Sequence, residues 1–282
     1  MSKLWTVSDV IAMMERWYPS RTAHTWDRVG LVLGNPQQPV KRILLAVDPV
    51  KATVNEAISG AYDMLLTHHP LYLRGTSFLP ENDPKGRMVA SLIRANIALY
   101  TAHTNADIAH KGVADALGER LGLRDMRPLI SEGYDTEKHE IGTGRIGCVE
   151  TTTVTAFADH VARVLPAGTH GLFVGGDIDA PVRTVAVSGG AGDQFLDAAR
   201  QAKADVYLTA DLRHHPASEH CEKGTPALFC ASHWATEWPW LPVLANRIQA
   251  EAAAENVSLS VEVSTMCTEP WIRHQPTLGG LQ

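Results

Sequence analysis

The sequence predicts an α/β fold built as two similar, pseudo-repeated α/β lobes, and three observations carry that expectation. The stretch KRILLAVD (41–48) is a short run of branched apolar residues that stops at Asp48 and Pro49, VKATVNEAISGA has helical spacing, and YDMLLTHHP is a second apolar run. Strand, helix and strand in that order form a β-α-β unit, the building block of a parallel sheet. The order then recurs: VRTVAVSGG (182–190), DQFLDAARQAKA and DVYLTADLRHHP (205–216) repeat it, down to the paired histidines and proline at the end. Each half also feeds a later strand into a histidine followed four residues on by an acid, in IRANIALYTAHTNAD (93–107) and KGTPALFCASHWATE (223–237). Two copies with matched polar residues point to one duplicated unit.

The other elements follow from the same periodicities. MSKLWTVSDVIAMMERWYP has the i, i+3, i+4 rhythm of an amphipathic helix, and Glu15 and Arg16 break any apolar core, so it does not read as a secretory signal. Between the copies, GRIGCVE and HGLFVGG read as strands around a helical VTAFADHVARVL. The polar stretch SEGYDTEKHE reads as a loop and marks the lobe boundary. Residues 1–127 are expected to form the first lobe and 128–282 the second, with the C-terminal segment placed to pack back on the first.

Composition narrows the function. Hydrophobic residues make up 45% of the 282 residues, enough for a substantial core. A formal charge of −6 without a basic stripe argues against a general nucleic-acid binder. No apolar run approaches the ~20 residues of a membrane span, so a cytoplasmic protein without membrane partners is expected. Cys148, Cys221, Cys230 and Cys267 are scattered without a CxxC pair and read as buried thiols in a reducing compartment.

The repeated residues define the chemistry. Ligands of open α/β sheets bind beyond the carboxyl ends of the strands, and all four polar clusters sit there. Imidazole and carboxylate without thiolate suit Zn, Mn, Fe or Ni. Several histidines with two acids exceed the needs of one four-coordinate ion, which points to two divalent ions, in the cleft between the lobes. Two such ions carry four positive charges, of which one Asp and one Glu cancel two. The surplus favours an anionic substrate such as a phosphate, with water acidified enough to attack it. A single His-x-x-x-acid would mean little; the recurrence of the whole constellation carries the reading.

At these residues the sequence resembles the NIF-three-like dinuclear metal-centre family, also called GTP cyclohydrolase 1 type 2 homologues. WDRVGLVLGNP, LLTHHPLYLRG, YTAHTNAD, VSGGAGDQFLDAA, ADVYLTADLRHH and SHWATEW appear in family order. The resemblance implies His68, His69, Asp107, His233 and Glu237 as ligands of two metal ions, with Glu237 bridging. His103 is then either a further ligand or a partner orienting Asp107, while Asp211, His214 and His215 fall in the pocket wall. His103 and His215 are the candidate proton carriers. The implied function is a metal-dependent hydrolase acting on a nucleotide, phosphoester or related anion; the alternative is a metal-binding regulatory or adaptor protein. The resemblance further implies a homohexamer, for which HWATEWPWLP and EPWIRHQP offer contact material in Trp234, Trp238, Trp240 and Trp271.

Overall fold

The computed structural model describes residues 3–276. A five-stranded sheet runs in the order Ser260–Val263, Arg42–Ala46, Met64–Thr67, Ala98–Thr101, Gly30–Leu33, with only the last strand antiparallel to its neighbour. Its central strands are almost continuously buried, because helices cover both faces and no position faces water. Alternation still sorts the side chains. Leu44, Leu65 and Leu99 pack with Val54, Ala57 and Leu92 from the crossover helices Lys51–Ser59 and Pro84–Arg94. Ile43, Leu45, Leu66 and Tyr100 point the other way, onto Val10 and Met14 of helix Val7–Trp17 and Leu244 and Ile248 of helix Trp240–Ala254. Each such side chain contributes roughly 1.5–3 kcal/mol when fully buried. The helix Val7–Trp17 starts at a capping box, Thr6 N–H donating to Asp9 Oδ2 at 2.7 Å.

A six-stranded sheet has the order Arg124–Tyr134, Glu140–Thr153, Pro181–Ala191, Val206–Ala210, Ala227–Ala231, Phe173–Gly175. Here Pro181–Ala191, Val206–Ala210 and Ala227–Ala231 are the parallel strands, and Phe173–Gly175 is antiparallel beyond the third. Val185, Val187, Leu208 and Phe229 face Phe157 and Val161 of helix Val154–Val164, while Ala186, Tyr207 and Leu228 face Leu196 and Ala199. Both sheets thus contain three parallel strands in chain order with an antiparallel strand beyond the third. Arg145 ties the second sheet to the helix that precedes it: its buried guanidinium pairs with Asp115 of helix Val113–Arg120 at 2.5 and 2.9 Å and donates to the carbonyls of Ala109, Gly142 and Gly144.

Some expectations change. SEGYDTEKHE is not a loop throughout: Arg124–Tyr134 and Glu140–Thr153 form an antiparallel hairpin, leaving only 135–139 as its turn. The first of these strands is exposed at most positions, so no apolar alternation betrayed it. The thiols also differ, since Cys148, Cys221 and Cys267 are exposed and Cys230 is half-buried. Cys148 and Cys230 lie on the strands Glu140–Thr153 and Ala227–Ala231, Cys221 at the end of a helix and Cys267 in the C-terminal segment. No helix among the described residues is long and apolar enough to cross a membrane.

Candidate metal centre

Three strand ends deliver the site. His68 and His69 directly follow Met64–Thr67 at a bend, their amides bonded to the carbonyls of Ala46 and Val47, so the neighbouring strand still holds the backbone where the rings leave it. His103 precedes the short helix Thr104–Ile108, which carries Asp107. From the other sheet, Ala227–Ala231 leads to the helix His233–Glu237, whose first and last residues face one group.

Glu237 is the hub. Its Oε1 lies 3.4 Å from His68 Nε2 and 3.0 Å from His233 Nε2, and its Oε2 lies 3.1 Å from His69 Nε2. Asp107 Oδ1 stands 3.7 Å from His68 Nε2. The rings of His68, His69, His103 and His233 are separated by 4.9–5.4 Å between neighbouring centroids. Two overlapping triads, His68–His69–His103 and His69–His233–Glu237, each place their ligating atoms within 4.8 Å of one another.

Every ring is held from behind. His68 Nδ1 donates to the Ala102 carbonyl (2.9 Å), His69 Nδ1 to Asp48 (2.7 Å), His103 Nδ1 to Asp27 (2.9 Å) and His233 Nδ1 to Asp211 (2.7 Å). Each Nδ1 faces a carbonyl or carboxylate and holds its proton there, so a ring whose Nε2 proton is displaced presents the Nε2 lone pair to a cation. His68 Nε2 and Glu237 Oε2 are buried and make no hydrogen bond. Such buried orphans, rare in folded proteins, are what a ligand-binding centre requires. The donor set of imidazoles and carboxylates therefore fits divalent transition-metal ions.

Without cations, the carboxylates and imidazoles neutralise one another. Burial pulls the His69 imidazole down, but Glu237 and Asp48 outweigh it and push it up to about 10. Glu237 and Asp211 raise His233 to about 11 against its burial, and Glu237 and Asp107 likewise raise His68. Burial opposes ionisation of Glu237, yet the three surrounding imidazoles hold its carboxyl well below the usual range. Asp107 is pushed up by desolvation against the pull of His68 and His103.

The residues expected from the sequence separate into two groups. His68, His69, His103, Asp107, His233 and Glu237 converge, and Asp211 supports His233 from behind. His214 and His215 are exposed at the start of the helix His214–Cys221, and among the described residues neither bonds to the cluster. Trp234 and Trp240 are buried in the core, the latter 5.6 Å from His68, whereas Trp271 is 65% exposed.

Apart from Asp211, sequence reasoning missed the groups that hold the rings. Asp27 is buried and, despite that burial, kept well below the ordinary carboxylate range by hydrogen bonds from His103 and Thr104. Asp48 accepts from His69 and from Thr268. The next residue, Glu269, accepts from Ser232 Oγ at 2.5 Å and Trp234 N at 2.9 Å, at the start of the helix bearing His233 and Glu237. Two adjacent C-terminal residues thus touch the supports of both sheets' contributions. Gly190, with φ +63°, lies so close that an added Cβ would stand 2.5 Å from Glu237 Oε1 and 2.9 Å from His233 Nε2.

Comparison with known proteins gives the chain a family and its fold a set of solved counterparts. A GTP cyclohydrolase 1 type 2 homolog of Streptomyces coelicolor is 47% identical over 270 residues, covering 95% of this chain and 94% of its own. One from Mycobacterium tuberculosis is 31% identical, covering 94% and 96%. Among solved structures, a Bacillus cereus protein related to NIF3 superposes with a TM-score of 0.88 at 23% identity, covering 96% of this chain and 99% of its own. A Staphylococcus aureus protein gives 0.86 at 25% identity, covering 95% and 98%. The family model Duf34/NIF3 (NGG1p interacting factor 3) matches residues 5–270, and the chain belongs to that family.

Proposed function

We propose that the protein holds two divalent metal ions between two duplicated lobes, divided near residue 127, and hydrolyses a small anionic substrate such as a phosphoester. The observation that carries this reading is the convergence of four ring Nε2 atoms and two carboxylates, with each Nδ1 tied away. The common strand order of the two sheets supports the duplication. His68, His69, Asp107, His233 and Glu237 would be the ligands, with Glu237 shared. Bound ions would polarise a substrate oxygen and acidify water.

The chain's own residues would do the rest. Asp48, Asp211 and the Ala102 carbonyl fix the ring tautomers. His103, its Nδ1–H fixed by Asp27, lines the cleft beside Asp107 and would carry the proton of the leaving group. Its place in the first triad also suits a ligand, and His103→Asn separates the roles. Retained metal with lost turnover marks the proton carrier; lost metal marks the ligand. Assembly into a homohexamer, with the exposed Trp271 available for contacts, belongs to the same reading, and light scattering tests it.

The central test is elemental analysis. Glu237→Gln, which removes the charge shared by both ions, should lose most of the metal, while exposed His215→Asn should retain it. Equal metal in wild type and Glu237→Gln defeats the assignment. Turnover of phosphorylated and cyclic substrates should then disappear on chelation.

A further inference from the structure

The candidate metal centre opens into a cleft of about 240 Å³ that also reaches Trp26, His24 and Phe195. Trp26 is 53% exposed at this cleft, its ring 5.7 Å from that of His24 and 5.9 Å from that of His103. A tryptophan left half in water beside a polar centre offers a ready platform for a flat ligand. Gly190 keeps the path from this aromatic wall to Glu237 and His233 free of side chain.

Two further features limit the ligand. The volume falls below the ~300–1,000 Å³ of pockets that enclose drug-sized molecules. No lysine or arginine lines the cleft among the described residues, and its acids are Asp107 and Glu237. Polyphosphate sites surround their charges with cationic side chains or metal. Here an anionic group can be neutralised only at the ions themselves.

The geometry points to a ligand that carries one planar ring and one anionic group, the ring against Trp26 and the anion toward Glu237 and His233, and not to a nucleoside triphosphate. This rests on the metal-site reading given above. The ring preference and the metal dependence are nonetheless separate observables. A nucleoside triphosphate would leave most of its length and charge outside a cleft whose lining offers it no lysine or arginine.

The test is calorimetric titration of the metal-loaded protein with phenyl phosphate, glycerol phosphate and GTP, with metal content measured for each sample. Phenyl phosphate should bind about tenfold more tightly than glycerol phosphate, the scale of one aromatic stack. In Trp26→Ala the ratio should fall below about twofold at unchanged metal content, and Trp26→Phe should restore it. GTP should bind no more tightly than phenyl phosphate. A ratio near one in wild type, a ratio that survives in Trp26→Ala, or GTP bound more than about tenfold tighter than phenyl phosphate would each overturn the inference. Repeating the titrations with chelator isolates the metal reading: affinities that do not change would sink that reading, while the ratio still decides the ring.

Discussion

Replacing Gly190 with Ala places one methyl group against the two atoms on which the candidate centre depends. The backbone there has φ +63°, which costs a residue with a Cβ about 1–2 kcal/mol. The new carbon would stand 2.5 Å from Glu237 Oε1, about 1 Å inside the ~3.5 Å of ordinary contact. Neither neighbour can retreat freely. Glu237 is 3% exposed with three imidazoles around it, and His233 is tied to Asp211 at 2.7 Å. A metal site tolerates ligand displacements of only about 0.2 Å, so a shift of several tenths should lower metal affinity roughly a hundredfold. Strain and overpacking together should cost about 2–4 kcal/mol of stability. Gly122→Ala is the control, because Gly122 has φ +78° with nothing within 4 Å of the added carbon. It should lose about 1 kcal/mol and keep its metal. Denaturant melts and elemental analysis after dialysis against a metal buffer read both quantities. A folded Gly190→Ala variant binding metal within threefold of wild type would refute the reasoning.

Three further outcomes are expected. Asp115→Ala should cost about 3–5 kcal/mol in urea unfolding, because it strands the buried Arg145 guanidinium; a loss under about 1 kcal/mol would show that the three carbonyls around Arg145 suffice. Thr268→Val, which removes the hydroxyl bonded to Asp48, should weaken metal binding about tenfold with little change in stability, and unaltered binding would free the C-terminal segment of any role in the centre. The third concerns pH. His69 and His233 are raised to about 10 and 11, so in the metal-free protein their stabilisation is complete below the ordinary value of 6.5 and is lost as pH climbs through the raised values. Glu237 is depressed, so its contribution is present above 4.5 and is lost as pH falls through its lowered value. Cations must displace the histidine protons, so between pH 6 and 8 metal affinity should rise by about tenfold per unit for each proton released. Calorimetry in buffers of different ionisation heat counts those protons, and binding that releases none contradicts the assignment.

How much of this was legible in the sequence follows from where the information lies along the chain. The central strands could be read because parallel strands covered on both faces are continuous apolar runs, as in Arg42–Ala46 and Val206–Ala210. Most supports of the rings could not, since Asp27 meets His103 across 76 residues and Thr268 meets Asp48 across 220. Nothing local marks an aspartate as half of such a pair. The two HHP runs show the limit most sharply. After Met64–Thr67 the chain bends, yet His68 N and His69 N remain bonded to the carbonyls of Ala46 and Val47, so both rings stay at the sheet's edge. After Val206–Ala210, Asp211 turns the backbone to φ +52°, and the chain leaves the sheet before its histidines arrive. His214 and His215 then open a surface helix, while Asp211 itself stays at the strand end and binds His233 Nδ1. The same three letters therefore end in different places: His68 follows its strand directly, whereas Asp211, Leu212 and Arg213 separate the second strand from His214, and Asp211 turns the backbone within that spacer. Aspartate adopts that angle more readily than most side chains, but its presence does not compel it. The residue that breaks the likeness between the two runs is also the one that orients a ring of the candidate centre.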